Sequence, residues 1–281
     1  MPAPVPAPAP ASRAGRNLPV AIAVGLALAA VLIASLYARK AVFVGVLVLA
    51  IGVGIRELVR AVRTTGANPP LVPLVVGGAA MGVLAYAGGA QALLVALVLT
   101  VLACLVWRLP DGGAGYLRDL AAGTLVAVYV PFLAGFAALL LIPPDGPRRV
   151  TVFIATVVCS DVGGYAAGAL FGRHPMAPSV SPKKSWEGLV GSVLACSMGG
   201  ALMVRLLLHG AWWQGLVFGL AVVLTATVGD LGESMVKRDI GIKDMGTLLP
   251  GHGGLMDRLD SLLPTAPVAW LLLSAFVPHA R

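Results

Sequence analysis

The residues best suited to chemistry are concentrated in one polar segment, residues 229–260, which contains half of the chain's 12 Asp and Glu residues. Within it, Asp230, Ser234 and Lys237 recur at i, i+4 and i+7, so they share one face if a helix continues through them. Glu233 can also pair with Lys237 at i, i+4. Carboxylates of this kind can bind Mg²⁺ through oxygen, and the Lys-Arg pair that follows can bind phosphate. The spacing therefore favours a site for a metal-bound polyphosphate.

The second half of this segment supplies a glycine-rich loop and further carboxylates. Residues 250–254 read Pro-Gly-His-Gly-Gly, and glycine allows backbone N–H groups to converge on an anion. Asp257, Arg258 and Asp260 follow. The alternative is an ordinary solvated loop whose mixed charges form surface ion pairs. The scarcity of acid elsewhere in the chain and the absence of a low-complexity bias favour the functional interpretation.

A further candidate lies upstream, where Asp161 interrupts an apolar run. A carboxylate within a membrane span is costly unless it is paired, which makes it a functional candidate by default. The alternative is a structural hydrogen-bond acceptor between helices. Gly164 and Gly168 form a small-xxx-small pair, which is typical of close helix packing.

A short basic turn at residues 181–187, Ser-Pro-Lys-Lys-Ser-Trp-Glu, is predicted to lead into the next apolar span. Lys183 and Lys184 could bind the phosphate of a lipid or of a nucleotide. The alternative is a positively charged membrane anchor with Trp186 at the interface.

Other chemistry-bearing residues give weaker signals. The chain contains no GxxxxGK[ST], GxGxxG, HExxH or CxxC motif. Three histidines have no acidic or cysteine partner in the sequence and are interpreted as incidental: His174, His209 and His279.

The elements that must position these residues are membrane helices. Of 281 residues, 58% are hydrophobic and only 11% are charged, unlike a soluble domain. So few charges cannot cover so much apolar surface, which excludes a soluble fold and a wholly disordered chain. Three cysteines exclude a disulfide-stapled fold. The net charge of +8 comes from basic residues scattered between apolar segments, which fits orientation in an anionic bilayer better than nucleic-acid binding.

The apolar runs predict an all-α, polytopic integral membrane protein with about nine transmembrane helices. The predicted spans are 18–37, 41–59, 71–88, 91–107, 119–142, 149–171, 188–208, 212–229 and 262–277. We divide the third span from the fourth at Gly88-Gly89, and we expect Pro264 and Pro267 to kink the last span or delay its start. The predicted organisation is a disordered Pro/Ala tail at 1–17, N-terminal transmembrane helices at 18–142 and a C-terminal catalytic transmembrane domain at 143–281.

The basic residues also predict an orientation. If the N-terminus is cytoplasmic, most of the 20 Lys and Arg residues lie on the cytoplasmic side. The two polar stretches at 172–187 and 229–260 then lie on that same side.

The C-terminal segment contains a set of polar and glycine residues at fixed spacing: Ser234, Lys237, Arg238, Lys243, Asp244, His252, Gly253, Gly254, Asp257, Arg258 and Asp260. With these residues, which match the family motif without a gap, the segment resembles the phosphatidate cytidylyltransferases, also called CDP-diacylglycerol synthases. The upstream matches are Asp161, Gly163, Tyr165, Ser181, Pro182, Lys184, Ser185, Trp186, Glu187 and Gly188. Two positions depart from the family pattern, Val162 for a small hydroxyl residue and Gly164 for Ala. The resemblance covers roughly residues 155–275, and the N-terminal half matches only as apolar spans.

This resemblance implies transfer of a cytidylyl group from CTP to phosphatidate, giving CDP-diacylglycerol and pyrophosphate. It implies Mg²⁺ dependence, K⁺ as a second cation, a plasma-membrane (inner-membrane) location with the active site facing the cytoplasm, and allows a homodimer. The implied metal ligands are Asp230, Asp257 and Asp260. The implied catalytic residues are Lys237, Arg238, His252 and Arg258. The implied substrate-binding residues are Ser181, Lys183, Lys184, Ser234, Lys243, Gly253, Gly254 and Asp161.

Two other functions remain open from the sequence. A CTP-dependent polyprenol or isoprenoid-alcohol kinase would need a base to take a hydroxyl proton. A transporter would use Asp161 for ion movement, but it would be expected to show internal repeats, whereas the charges cluster at one end of this chain.

Overall fold

The computed structural model describes residues 18–248 and 253–277, with side chains from residue 23 onward. Within these ranges, seven helices are long and apolar enough to cross a membrane. In a bilayer core, backbone N–H and C=O groups must be satisfied within the chain, which is why apolar runs become helices. The helices are α1 (Leu18–Ala38), α2 (Lys40–Arg63), α3 (Leu71–Arg108), α4 (Tyr116–Ala127), α5 (Leu133–Leu141), α6 (Gly146–Phe171), α7 (Trp186–Leu207), α8 (Trp212–Ile240), α9 (Met256–Leu259) and α10 (Leu262–Phe276). The all-α, multi-pass membrane fold is confirmed.

Helix α3 is a tight helical hairpin. Gly89 has φ 73° and ψ −163°, which is outside the helical region and breaks the run. Gly77 of the first arm packs directly against Thr100 of the second arm, so the chain reverses at Gly89. The predicted division at Gly88-Gly89 is confirmed, while the total of about nine spans stays a prediction.

Helices α4 and α5 form one span through a π-helical turn, Val128–Phe132, that contains Pro131. A π turn accommodates a proline that would otherwise clash with the preceding turn. Pro267 lies inside α10, which nevertheless runs from Leu262 to Phe276. The short helix α9 precedes it, and the two are separated by Asp260 and Ser261.

The predicted basic turn before α7 is instead part of a β-hairpin. Strand β1 (Pro175–Ala177) pairs antiparallel with β2 (Ser181–Ser185). The side chain of Ser185 then accepts a hydrogen bond from Gly188 N (3.1 Å) and caps α7. The hairpin thus leads directly into α7, and the cap fixes the position at which α7 begins.

Glycine allows helices α6, α7 and α8 to approach closely. A Cβ on Gly163 would lie 2.7 Å from the carbonyl oxygen of Gly191, and one on Gly200 would lie 2.5 Å from that of Gly215. Gly164 and Gly168 face Ser192 and Gly188 of α7, so their predicted packing role is confirmed. Close packing brings the carboxyl end of α6, the amino end of α7 and the carboxyl end of α8 to one end of the bundle.

The N-terminal and C-terminal helices are joined by contacts between them. The hydroxyl groups of Tyr37 on α1 and Thr151 on α6 share a hydrogen bond (3.0 Å). Glu57 of α2 accepts hydrogen bonds from the residues that begin α9. The domain boundary at residues 142/143 stays a prediction, and the tail at 1–17 lies outside the described residues.

Candidate active site

A polar cavity of about 300 Å³ lies where α6, the β-hairpin, α7 and α8 meet. We call it the polar pocket. Its lining includes four of the predicted site residues: Asp161, Lys183, Lys184 and Asp230. Two stretches that are distant in the sequence therefore meet in one cavity, which the sequence motifs alone could only suggest.

An ion pair crosses the polar pocket. Lys184 Nζ lies 2.6 Å from Asp230 Oδ2, and both side chains remain partly exposed, at 24% and 32%. Lys184 is carried by β2, whose position is fixed by the cap of α7, whereas Asp230 is carried by α8. The pair therefore joins the hairpin to α8 across the cavity, and both groups stay accessible to a ligand.

Asp230 also connects to the end of the chain. Ser234 Oγ donates to Asp230 Oδ1 at 3.4 Å, which confirms that α8 continues and that these two residues share a face. A Cβ on Gly229 would lie 2.6 Å from the carbonyl oxygen of Asp260, so α8 meets the α9–α10 junction beside Asp230. The carboxylates of Asp161, Asp230 and Asp260 are near enough to interact electrostatically.

A second polar group, which we call the Lys237 cluster, lies further along α8, and its side chains are less exposed than those of Lys184 and Asp230. It consists of Glu233, Lys237 and Asp257. Lys237 Nζ lies 3.1 Å from Glu233 Oε1 and 3.0 Å from Asp257 Oδ1. The predicted Glu233–Lys237 pair is confirmed, and Lys237 additionally reaches across to α9.

Asp257 is held by the backbone as well as by Lys237. Its oxygens accept hydrogen bonds from the N–H of Met245 (3.1 and 3.0 Å) and of Gly254 (2.8 Å). Gly253 has φ +81°, a conformation that glycine adopts readily, and its position lies against the same carboxylate. The structure therefore shows Asp257 as the anchor of the glycine-rich loop, and its assignment as a metal ligand stays a prediction.

The remaining predicted residues lie around these two groups. Arg238 Nε donates to the carbonyl of Val180 in the hairpin turn (3.2 Å). Arg258 is exposed and interacts electrostatically with Asp161. Lys243 is exposed in the loop after α8, and Ser181 begins β2. His252 lies outside the described residues.

One interpretation from the sequence was wrong. His174 is not isolated from acid, because its Nδ1 lies 2.5 Å from Glu187 Oε1. The other oxygen of Glu187 accepts the backbone N–H groups of Arg173 and His174. The contact arises because the β-hairpin folds residue 174 back onto the first turn of α7, which residue spacing does not reveal. Glu187 thus holds the start of the β-hairpin against the first turn of α7.

The sequence reasoning also missed Glu57. This carboxylate is 6% exposed on α2, and it accepts hydrogen bonds from the N–H groups of Leu255 (3.1 Å) and Met256 (2.8 Å). The signal that singled out Asp161, a carboxylate within a predicted span, is weaker for Glu57, because Arg56 and Arg60 lie close to it in the sequence.

Several acidic side chains lie close together around the site. The described carboxylates are Asp161, Asp230, Glu233, Asp257 and Asp260, and the cations that interact with them are Lys184, Lys237 and Arg258. Glu233 Oε2 is buried and has no hydrogen-bond partner in the described part of the chain. Within residues 18–248 and 253–277, no three His, Cys, Asp or Glu side chains form a ready-made metal cage. The arrangement suits a cation that completes its coordination with other ligands.

Comparison with known proteins identifies the family. The model of the cytidylyltransferase family matches residues 19–276. The chain belongs to this family. Among its curated relatives, the phosphatidate cytidylyltransferase of Mycobacterium bovis is 46% identical over 258 residues, covering 87% of this chain and 84% of the relative. The phosphatidate cytidylyltransferase of Mycobacterium leprae is 46% identical over 261 residues, covering 87% and 83%. That of Brucella suis is 38% identical over 150 residues, 52% of this chain and 56% of the relative.

The match confirms the resemblance that the motifs indicated, and it extends the resemblance to the N-terminal half of the chain. The motif residues lie in the C-terminal half, whereas the family model begins at residue 19. The N-terminal helices, which matched only as apolar spans, therefore belong to the cytidylyltransferase fold and include the Glu57 contact to α9.

Proposed function

We propose that this protein transfers the cytidylyl group of CTP to phosphatidate, giving CDP-diacylglycerol and pyrophosphate. A phosphate oxygen of phosphatidate forms a bond to the α-phosphorus of CTP, and the bond from that phosphorus to the pyrophosphate oxygen breaks. The attacking oxygen is already anionic, so the reaction needs no strong base to remove a proton. It needs alignment of two polyanions and stabilisation of the charge on the departing pyrophosphate.

One observation carries the proposal: the upstream motif stretch meets Asp230 and Ser261, which flank the C-terminal motif, in one pocket. The chain around this pocket is 46% identical to phosphatidate cytidylyltransferases over 87% of its length. Lys183 and Lys184 line the pocket from the hairpin, and Asp230 faces them from α8. The membrane-spanning helices surround the same cavity, so a lipid phosphate can reach it while the acyl chains stay in the bilayer.

The cationic residues have distinct tasks in this proposal. Lys184 is partly exposed in the pocket and exchanges Asp230 for a substrate phosphate. Arg258 and Arg238 are exposed near the pocket and the hairpin turn, where they contact the triphosphate. Lys237 holds Asp257 and Glu233 together, so it sets the shape of the loop that contains Gly253 and Gly254. On the family resemblance, Ser181, Ser234 and Lys243 are proposed to bind the nucleotide. Gly253, Gly254 and His252 are proposed on the same ground to bind the triphosphate.

The carboxylates of the site fit Mg²⁺, which prefers oxygen ligands and takes one or two carboxylates together with water and substrate phosphates. Asp230 and Asp260 would hold it, since both adjoin the polar pocket and the second oxygen of Asp260 has no hydrogen-bond partner in the described part of the chain. Asp257 is the third proposed carboxylate, because its partner Lys237 could turn to a phosphate. Bound there, Mg²⁺ would neutralise charge on the triphosphate and on pyrophosphate. The proposal of K⁺ as a second cation rests on the family resemblance.

We further propose that the protein lies in the plasma membrane with the polar pocket facing the cytoplasm, where CTP is available. Two features support this orientation. The stretches predicted as cytoplasmic, 172–187 and 229–260, both contribute to the same end of the bundle as the pocket. The excess of Lys and Arg on that side follows the positive-inside pattern.

The product assay tests the function. Purified protein in detergent or vesicles is incubated with phosphatidate, radiolabelled CTP and Mg²⁺, and lipid-soluble label and pyrophosphate are measured. We expect label in CDP-diacylglycerol with one pyrophosphate released for each lipid formed. Release of labelled CDP without a labelled CDP-lipid, with transfer of phosphate to a polyprenol in a parallel reaction that contains a polyprenol and CTP labelled at the γ-phosphate, would identify a kinase and overturn the proposal.

A further inference from the structure

Glu57 is the one described carboxylate of the N-terminal helices that contacts the loop of the candidate active site. It lies on α2, 6% exposed, and accepts the N–H of Leu255 and of Met256, the residues that begin α9. Backbone N–H groups at the start of a helix have no partner within the helix. A buried carboxylate that takes two of them forms charge-assisted hydrogen bonds, which are stronger than neutral ones.

The glycine-rich loop is shaped around this carboxylate. A Cβ on Gly254 would lie 2.6 Å from Glu57 Oε2, and a Cβ on Gly246 would also overlap the Glu57 side chain. Only residues without a side chain therefore allow the backbone to close over Glu57 at these two positions. The loop touches the carboxylate from both of its ends.

Asp257 closes the same loop from the other side. It accepts N–H groups from Met245 and Gly254, while Glu57 accepts those of Leu255 and Met256. The two carboxylates together fix both ends of the loop and the first turn of α9. Because α9 is only four residues long, its orientation determines where Arg258 and Asp260 lie.

We infer that Glu57 is a positioning residue for cytidylyl transfer: it acts through the start of α9 to hold Asp257, Arg258 and Asp260 in register with Asp230. The inference rests on the proposed function. Glu57 does not line the polar pocket, so it acts on the geometry of the reacting groups rather than on substrate binding. Misplacing catalytic groups by about 1 Å can reduce the rate about 100-fold.

The test compares Glu57→Gln and Glu57→Ala with Asp119→Asn. Asp119 is a matched control, since it is 1% exposed and also accepts a backbone N–H, that of Asn68 (2.6 Å). Its described partners, Asn68, Arg108 and Arg118, belong neither to α9 nor to the loop before it. Glu57→Gln keeps the size of the side chain and one of its two acceptor oxygens. The other oxygen becomes an NH₂ group, which cannot accept the second backbone N–H. We expect kcat per folded molecule to fall about 30-fold in Glu57→Ala and about 5-fold in Glu57→Gln, with KM for both substrates within about 3-fold. Asp119→Asn should keep kcat within about 2-fold.

Hydrogen exchange provides a readout that does not depend on activity. In both Glu57 variants, the amides of Leu255 and Met256 should exchange at least about 10-fold faster, whereas those of Asn68 should respond only in Asp119→Asn. Unchanged exchange at residues 255 and 256, or a kcat in Glu57→Gln equal to that of Asp119→Asn, would overturn the inference. If the wild type forms no CDP-diacylglycerol, the proposed function fails, and hydrogen exchange still tests the contact. If Glu57→Ala does not fold, Glu57→Gln carries the test.

Discussion

Two aspartates of the polar segment 229–260 are held in opposite ways. The Asp230 side chain is 32% exposed, and its described partners are the side chains of Lys184 and Ser234. The Asp257 side chain is 3% exposed and is bound by backbone N–H groups of the loop as well as by Lys237. Side-chain partners can be exchanged when a substrate arrives, but backbone partners can be released only if the loop itself moves.

The contrast divides the site into a part that binds and a part that positions. The polar pocket, with Lys184 and Asp230, offers groups that can change partners without a change of fold. The Lys237 cluster, together with Glu57, fixes the loop and the start of α9. Replacing Asp230 should therefore lower activity without lowering stability, whereas replacing Asp257 should lower both.

Asp230→Asn should give the largest loss of activity with the smallest loss of stability. The change removes a charge needed beside the triphosphate, so we expect kcat to fall about 1,000-fold. Because the replaced group is partly exposed and bound by side chains alone, Tm should change by less than about 2 °C. Asp239→Asn, at an exposed position nine residues along α8, is the control and should retain activity. Thermal unfolding in detergent measures Tm, and the product assay measures kcat.

Asp257→Asn is compared with Asp230→Asn, because the Asp257 change should lower both kcat and Tm. We expect kcat to fall more than about 100-fold, and Tm to fall by about 5 °C because a buried acceptor of backbone N–H groups is lost. A Tm equal to that of Asp230→Asn would show that the loop does not depend on this anchor. Near-normal turnover would remove Asp257 from the reaction altogether.

Lys184→Ala tests the binding part with a smaller expected effect. Loss of the ammonium should raise KM for one of the two substrates about 10-fold while kcat changes less, because Lys184 contacts a phosphate before and during the reaction. Lys184→Arg keeps the charge and should recover part of the affinity. Arg173→Ala, an exposed residue before the hairpin, serves as the control. Unchanged kinetics for both substrates would return Lys184 to the role of a membrane anchor.

Much of the fold follows from the sequence because the bilayer imposes it. An apolar run in lipid has to become a helix, so the spans around α6, α7 and α8 were predictable, as was the reversal of α3 at Gly89. The motif spacing likewise predicted which residues of α8 share a face. These features depend on local sequence or on the solvent, and neither requires knowledge of distant contacts.

The features that were not predictable depend on contacts between distant parts of the chain. Residues 181–185 form a strand only because residues 175–177 pair with them, and Pro-Lys-Lys has little intrinsic preference for a strand. Glu57 and Leu255 are 198 residues apart, and nothing in the periodicity of either helix reveals their contact. The position of His174 beside Glu187 arises from the same hairpin.

A change in helix packing should have the smallest predicted effect on activity. It tests whether the shape of the polar pocket depends on the contact between α6 and α7. A Cβ on Gly163 of α6 would lie 2.5 Å from Cβ of Ala195 and 2.7 Å from the carbonyl oxygen of Gly191, so Gly163→Ala must move α6 away from α7. We expect a loss of roughly 1–3 kcal/mol in stability, and KM values about 3-fold higher for both substrates because the pocket widens. Gly45→Ala is the matched control, since a Cβ there meets nothing within 4 Å, and it should stabilise the helix by about 0.5–1 kcal/mol. If Gly163→Ala lowered Tm while both KM values stayed at the wild-type level, the pocket would be shaped by the hairpin and α8 without help from the α6–α7 contact.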